Sequence, residues 1–215
     1  MITAGGTREY IDPVRFISNA SSGKMGYELA KAAIKAGHKV MLISANTNLS
    51  APKGVKAIEV ETSVDMFEAV KRGFERCDCL IMAAAVSDYA PVRQSPVKIK
   101  RGKKPITLKL KPTADILEWA AGRRRKNQLV IGFALEDIDP KGGAERKLRE
   151  KKLDMIVANR PAAIGADRTS VWIMDDCGGR QAIKNRTKAV IAREIICHAE
   201  AKIYSSEKKP SGAEK

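Results

Sequence analysis

The chain has 215 residues, 44% hydrophobic and 30% charged, the balance of a folded globular protein, and on length a single domain is expected. No apolar run approaches the roughly 18 residues that a membrane-crossing helix needs, and the opening MITAGGTREYIDPVR lacks the apolar core of a secretory leader. The formal net charge is +15, and the four scattered cysteines (Cys77, Cys79, Cys177, Cys197) exclude a disulfide scaffold and a paired CxxC zinc site, so a reducing cytoplasm is the expected compartment.

In chain order, MITA reads as a first strand ending in Gly5-Gly6-Thr7. Residues 25–36 repeat apolar groups at helical spacing, and Gly37 supplies the stop. Strands follow at 39–44 and 55–60. Thr62 with Asp65 forms a capping-box signature for a helix to about Phe74. CLIMAAAV (79–86) is almost wholly apolar, as a central parallel strand buried on both faces would be. Alternation of strand and helix predicts an α/β, Rossmann-like fold of three layers with a mostly parallel central sheet.

Beyond Asp88 the periodicity fades. Residues 89–105, rich in Pro, Lys and Arg, read as a long loop whose basic part, 90–104, is expected to be mobile. ITLKL (106–110) alternates like an edge strand, and Thr113 is placed to cap the helix ADILEWAA. A buried strand at 129–135, a basic helix at 144–151 and a strand at 155–159 come next. VWIM (171–174) and QAIK (181–184) flank Cys-Gly-Gly as a small C-terminal hairpin, a helix closes the domain over 187–203, and the polar tail 205–215 is expected to be disordered. One domain is therefore assigned to 1–204.

Three regions carry residues that packing does not demand. The segment Asn19-Ala-Ser-Ser-Gly-Lys-Met-Gly26 precedes a helix, where free N–H groups and the helix dipole favour an anion. It is neither GxGxxG nor a Walker A loop, since Ser18 and Met25 stand where that motif needs Gly and Ser or Thr. An ordinary Ser/Gly helix entry explains it equally well. At the end of the 79–86 strand, small residues would let a ligand lie against the backbone, and Asp88 could meet a ribose hydroxyl or a magnesium ion, or simply start a turn. The third region is the basic loop, with Lys98, Lys100, Arg101, Lys103 and Lys104, suited to a triphosphate or to plain solvation. Cys77 and Cys79 read as structural thiols, and His38 and His198 have no partner evident in sequence.

The block from Thr3 to Gly26 (TAGGTREYIDPVRFISNASSGKMG) closely resembles the opening of the phosphopantothenate–cysteine ligase family, of the bacterial type but without the fused decarboxylase half. The likeness continues through AAAVSDY (83–89), KIKR (98–101), ADIL (114–117), IGFALE (131–136) and the helix of Lys147 and Lys151 with the following DMIVAN. It implies a coenzyme A biosynthesis ligase joining 4′-phosphopantothenate to L-cysteine through an acyl-cytidylate, with CTP as co-substrate and magnesium as cofactor. By the same resemblance Asn19 and Lys98 are the catalytic residues. Arg15, Asn19, Ser21, Ser22 and Gly23 would bind the substrate. Met82, Ala83, Ala84, Asp88, Lys98, Ala114, Asp115, Ile116, Leu117, Phe133, Lys147 and Lys151 would bind the nucleotide. The resemblance implies a homodimer and leaves the decarboxylation to a separate decarboxylase chain.

Two rivals fit less well. A nicotinamide-dependent dehydrogenase needs GxGxxG after the first strand and an acid closing the second, but this chain has Gly5-Gly6-Thr7 and Ser44-Ala45-Asn46. A non-catalytic basic module for nucleotides or nucleic acid would use the charge, yet aromatics are only 5% and none interleaves the basic runs, so no nucleic-acid partner is expected.

Overall fold

The computed structural model describes residues 1–207. The chain runs β1 (Ile2–Gly5), β2 (Arg8–Tyr10), β3 (Phe16–Ser18), α1 (Lys24–Lys35), β4 (Met41–Ala45), β5 (Lys56–Val60), α2 (Ser63–Phe74), β6 (Cys79–Met82), β7 (Tyr89–Pro91) and β8 (Leu110–Pro112). It continues through α3 (Ile116–Arg123), β9 (Leu129–Leu135), α4 (Pro140–Glu150), β10 (Met155–Asn159), a 3-10 turn at Pro161–Ala163, β11 (Arg168–Asp175), β12 (Arg180–Thr187) and α5 (Lys188–Glu207). Eight strands form one sheet in the order β12-β11-β10-β9-β6-β1-β4-β5. All pairs from β10 to β5 are parallel, and β11 and β12 add an antiparallel hairpin.

Apolar runs of β1, β6, β9 and β10 feed both faces of the sheet, so helices must cover both. Leu29, Ala30 and Ala33 of α1 join Ile191, Ile195 and Ile196 of α5 on one face; Met66, Val70 and Phe74 of α2, Leu117 of α3 and Leu148 of α4 cover the other. Each of the Leu, Ile, Val, Met and Phe side chains among them contributes about 1.5–3 kcal/mol relative to exposure. Helix α1 lies unusually close to β1. A Cβ on Gly26 would stand 2.5 Å from that of Ala4, so only glycine admits this approach.

Several boundaries differ from those read off the sequence. The 79–86 strand stops at Met82, because the Ala84 N–H goes to Thr3 Oγ1 (3.1 Å) instead of a backbone carbonyl; only Ala85 bridges again, to Gly6. Part of the loop 89–105 is strand: Tyr89–Pro91 pairs antiparallel with Leu110–Pro112, and of ITLKL only Leu110 is in that ribbon. Helix α3 is capped by Asp115, whose Oδ1 accepts the Glu118 N–H (2.9 Å), while Thr113 donates its hydroxyl to the Ser87 carbonyl (2.6 Å). Helix α4 begins at Pro140 under an Asp139 cap, a turn before the predicted 144. The β2–β3 ribbon was not expected. The last helix reaches Glu207, so residues 205–207 of the expected tail are helical and the rest of it lies outside the described residues.

Candidate active site

Strand β1 leads to β4 on one side of the sheet, whereas β6 returns on the other, which makes the β1/β6 boundary the topological switch point where α/β folds open a crevice at the carboxyl ends of their strands. A cleft of about 620 Å³ lies there. Its walls come from the segment entering α1, the turn after β6, the start of α3, the ends of β9 and β10, α4, and the first residue of α5.

Of the seventeen residues expected at the site, fifteen line this cleft. Asn19, Ser21, Ser22 and Gly23 form one wall; Met82, Ala83, Ala84 and Asp88 form the floor and far lip; Ala114, Asp115, Ile116, Leu117, Phe133, Lys147 and Lys151 complete the other wall. Arg15 and Lys98 do not line it. The Arg15 guanidinium is turned onto Asp12 and the Ile99 carbonyl (2.8 Å), and Lys98 is exposed on the loop.

Asn19 is fixed by the backbone. Its Nδ2 donates to the carbonyls of Ala85 (3.1 Å) and Val86 (3.2 Å), tying the loop before α1 to the turn after β6. Helix α1 then starts without a side-chain cap, from Gly23 at φ 74°, so its first N–H groups are left for another acceptor. On the opposite wall Lys151 pairs with Asp115, and Lys147 donates to the Phe133 carbonyl (3.2 Å). Burial, with the Lys151 charge adding to it, lowers the Lys147 ammonium from its ordinary value. Burial opposes the charge of Asp115, but the Lys151 ammonium and the Glu118 N–H together hold its carboxyl below the usual range.

Sequence reading missed two cations of the cleft. Lys188, only 8% exposed, donates to the Ala163 carbonyl (3.1 Å), and burial followed by the Lys24 charge lowers its ammonium. Lys24 pairs with Asp167 (2.8 Å). Lys188 stands 164 positions after Lys24 in the sequence, and no local signal links them. Asp88 makes no side-chain hydrogen bond or ion pair among the described residues.

The remaining candidates have structural partners. His38 Nε2 meets Glu200 Oε1 (2.8 Å) and His198 meets Gln181, so both histidines join α5 to its neighbours. Burial pushes the Cys79 thiol up to about 12, which makes it inert packing. No helix among the described residues is long and apolar enough to cross a membrane.

Comparison with known proteins agrees with this architecture. The chain is 42% identical over 201 residues to the coenzyme A biosynthesis bifunctional protein CoaBC of Bacillus subtilis, covering 91% of this chain and 49% of that protein. Its likeness to the CoaBC of Vibrio parahaemolyticus is 44% over 161 residues, 74% of this chain and 40% of the relative. The chain thus spans about half the length of the curated relatives it matches. Among solved structures, the C-terminal domain of a CoaBC superposes with a TM-score of 0.83 at 38% identity, covering 95% of this chain and 94% of that one. With a match running from residue 1 to residue 202, the chain belongs to the family of the DNA/pantothenate metabolism flavoprotein C-terminal domain.

Proposed function

We propose that the chain is a ligase of coenzyme A biosynthesis that joins 4′-phosphopantothenate to L-cysteine. The carboxylate of 4′-phosphopantothenate attacks the α-phosphorus of CTP, the bond to pyrophosphate breaks, and an acyl-cytidylate forms. The cysteine amine then attacks the acyl carbon and CMP leaves. The observation that carries this reading is the convergence in one cleft of an uncapped helix N-terminus, the anchored Asn19 and four lysines (Lys24, Lys147, Lys151, Lys188) against two aspartates. Its volume, about 620 Å³, falls in the range of small-molecule sites.

Each wall has a part. N–H groups at Ser21 and Ser22 with the start of α1 suit phosphate oxygens, while the Gly23 N–H is taken by Ser21 Oγ (3.3 Å). Small and apolar groups at Ala83, Ala84, Ala114, Leu117 and Phe133 let the nucleotide lie flat, and Lys147 and Lys151 add charge beside it. Asn19 holds the acyl-nucleotide, and the long side chain of Lys98, reaching from its loop, neutralises the departing pyrophosphate. Asp88 fits a magnesium ion: magnesium is usually held by one or two carboxylates plus substrate phosphates, and this carboxylate is otherwise unpaired among the described residues. When bound, the ion would neutralise triphosphate charge.

A homodimer belongs to the same proposal. Phe16, Tyr89 and Leu110 are exposed on the β2–β3 and β7–β8 ribbons, with exposed Val14 in the turn between β2 and β3 and Val92 directly after β7, and β2 packs on β7. An apolar surface of this kind calls for a cover. A decarboxylase would consume the product.

The test is pyrophosphate release with 4′-phosphopantothenate, magnesium and either CTP or ATP, with and without cysteine. Multiple turnovers with CTP only when cysteine is present are expected. Turnover with ATP alone would overturn the choice of base, and no release with either nucleotide from folded protein would overturn the ligase.

A further inference from the structure

Asp12 has no exposed surface, yet it lies outside the cleft. A buried carboxylate is tolerated only when its oxygens are satisfied, and those of Asp12 are. Oδ1 accepts the N–H groups of Val14 and Arg15 (both 2.9 Å), which closes the turn between β2 and β3. Oδ2 accepts Arg15 Nε (2.9 Å) and, from 87 residues further on, the Ile99 N–H (3.2 Å). Arg15 in turn donates Nη2 to the Ile99 carbonyl (2.8 Å). Both polar groups of Ile99 are therefore held by one ion pair, and Lys98 is its chain neighbour. Ser95 N–H adds a bond to the Ile11 carbonyl (2.9 Å), and Val92 N–H one to the Lys109 carbonyl (2.9 Å). Among the described residues, 100–108 make no backbone hydrogen bond.

We propose that Asp12 is a positioning residue for the basic loop: acting through Arg15 and the peptide groups of Ile99, it anchors Lys98 to the β2–β3 ribbon and leaves 100–108 as the part that moves. The geometry divides the lysines into two classes. Lys98 sits on the anchored limb beside Ile99, whereas Arg101, Lys103 and Lys104 ride on the free limb. What Lys98 does there rests on the ligase reading; the anchoring itself does not. A backbone anchor of this kind fixes the loop's path without using up the cationic side chains that a polyanionic substrate needs.

Limited trypsin digestion of the full chain without ligand separates the two limbs. Wild type should be cut first after Arg101 and Lys103, with the bond after Lys98 protected. Asp12→Asn and, independently, Arg15→Gln, which removes the donor to the Ile99 carbonyl at a side chain 47% exposed, should each raise cleavage after Lys98 by about tenfold, since cleavage follows the population of the opened loop. Arg15→Gln leaves the Asp12 carboxylate in place with its backbone donors, so this variant decides the matter even where Asp12→Asn folds poorly. Early cleavage after Lys98 in wild type, or unchanged protection in Arg15→Gln, would overturn the anchor. A double-mutant cycle on pyrophosphate release tests the positioning: Asp12→Asn with Lys98→Gln should lose no more than Lys98→Gln alone, and additive losses would overturn it. If wild type itself releases no pyrophosphate, the ligase reading fails and the digestion pattern alone decides the anchor.

Discussion

Asn19 donates both amide hydrogens to carbonyls of the turn after β6, so its first task is to fasten the α1 entry loop across the switch point. An aspartate there can neither donate those bonds nor sit easily beside two carbonyl oxygens, and it would set negative charge against an anionic acyl-nucleotide. Asn19→Asp is therefore expected to lower turnover by at least about tenfold, the equivalent of ~1.4 kcal/mol, while CTP affinity changes several-fold less. Single-turnover kinetics with parallel nucleotide titration checks this, and unchanged turnover would remove Asn19 from the site. The residue type and the Ser-Ser-Gly context were legible in the sequence. The carbonyls it grips are 66 and 67 residues away and were not.

Among the elements, α2 shows local chemistry deciding a boundary. Thr62 Oγ1 accepts the Asp65 N–H (3.1 Å) and the Asp65 carboxylate accepts the Thr62 N–H (3.0 Å), the reciprocal box that the sequence announces. Thr62→Ala should cost about 1 kcal/mol, or ~2–4 °C in melting temperature for a chain of this size, read by thermal unfolding with the cleft's nucleotide binding unaffected. The short ribbons were illegible for the opposite reason. Strands of three residues, β2 with β3 and β7 with β8, carry too few residues to show a period of two. They are held by distant partners instead: the Ser63 N–H donates to Glu9 (2.9 Å), and the Arg8 N–H to the Glu61 carbonyl (2.9 Å). Residues 106–110 alternate as a strand should, yet only Leu110 pairs, because the one available neighbour, β7, is three residues long.

At the scale of the molecule, two features lie apart: a cationic cleft at the switch point and an apolar surface on the two ribbons. The second bears on association. Phe16 on β3 and Leu110 on β8 are both exposed. Phe16→Glu with Leu110→Glu should convert a two-chain species into single chains, measured by sedimentation, while the melting transition of the domain persists. A wild-type protein that sediments as a single chain at micromolar concentration would overturn the dimer.

The sequence by itself determined the α/β alternation, the helix of the capping box and the buried strands β9 and β10, because helical and strand periods, caps and apolar runs act over a few residues, while most of the cleft's walls were expected only through the family resemblance of its motifs. Only the tertiary structure decided which of those residues meet. The early turn of β6 follows from a Thr3 hydroxyl, the second pair of cleft lysines from the docking of α5 beside α1, and the turning of Arg15 away from the cleft from a carboxylate that also holds Ile99. Each is a contact between segments far apart in the chain, set by sheet order and packing, and local sequence carries no record of such distances.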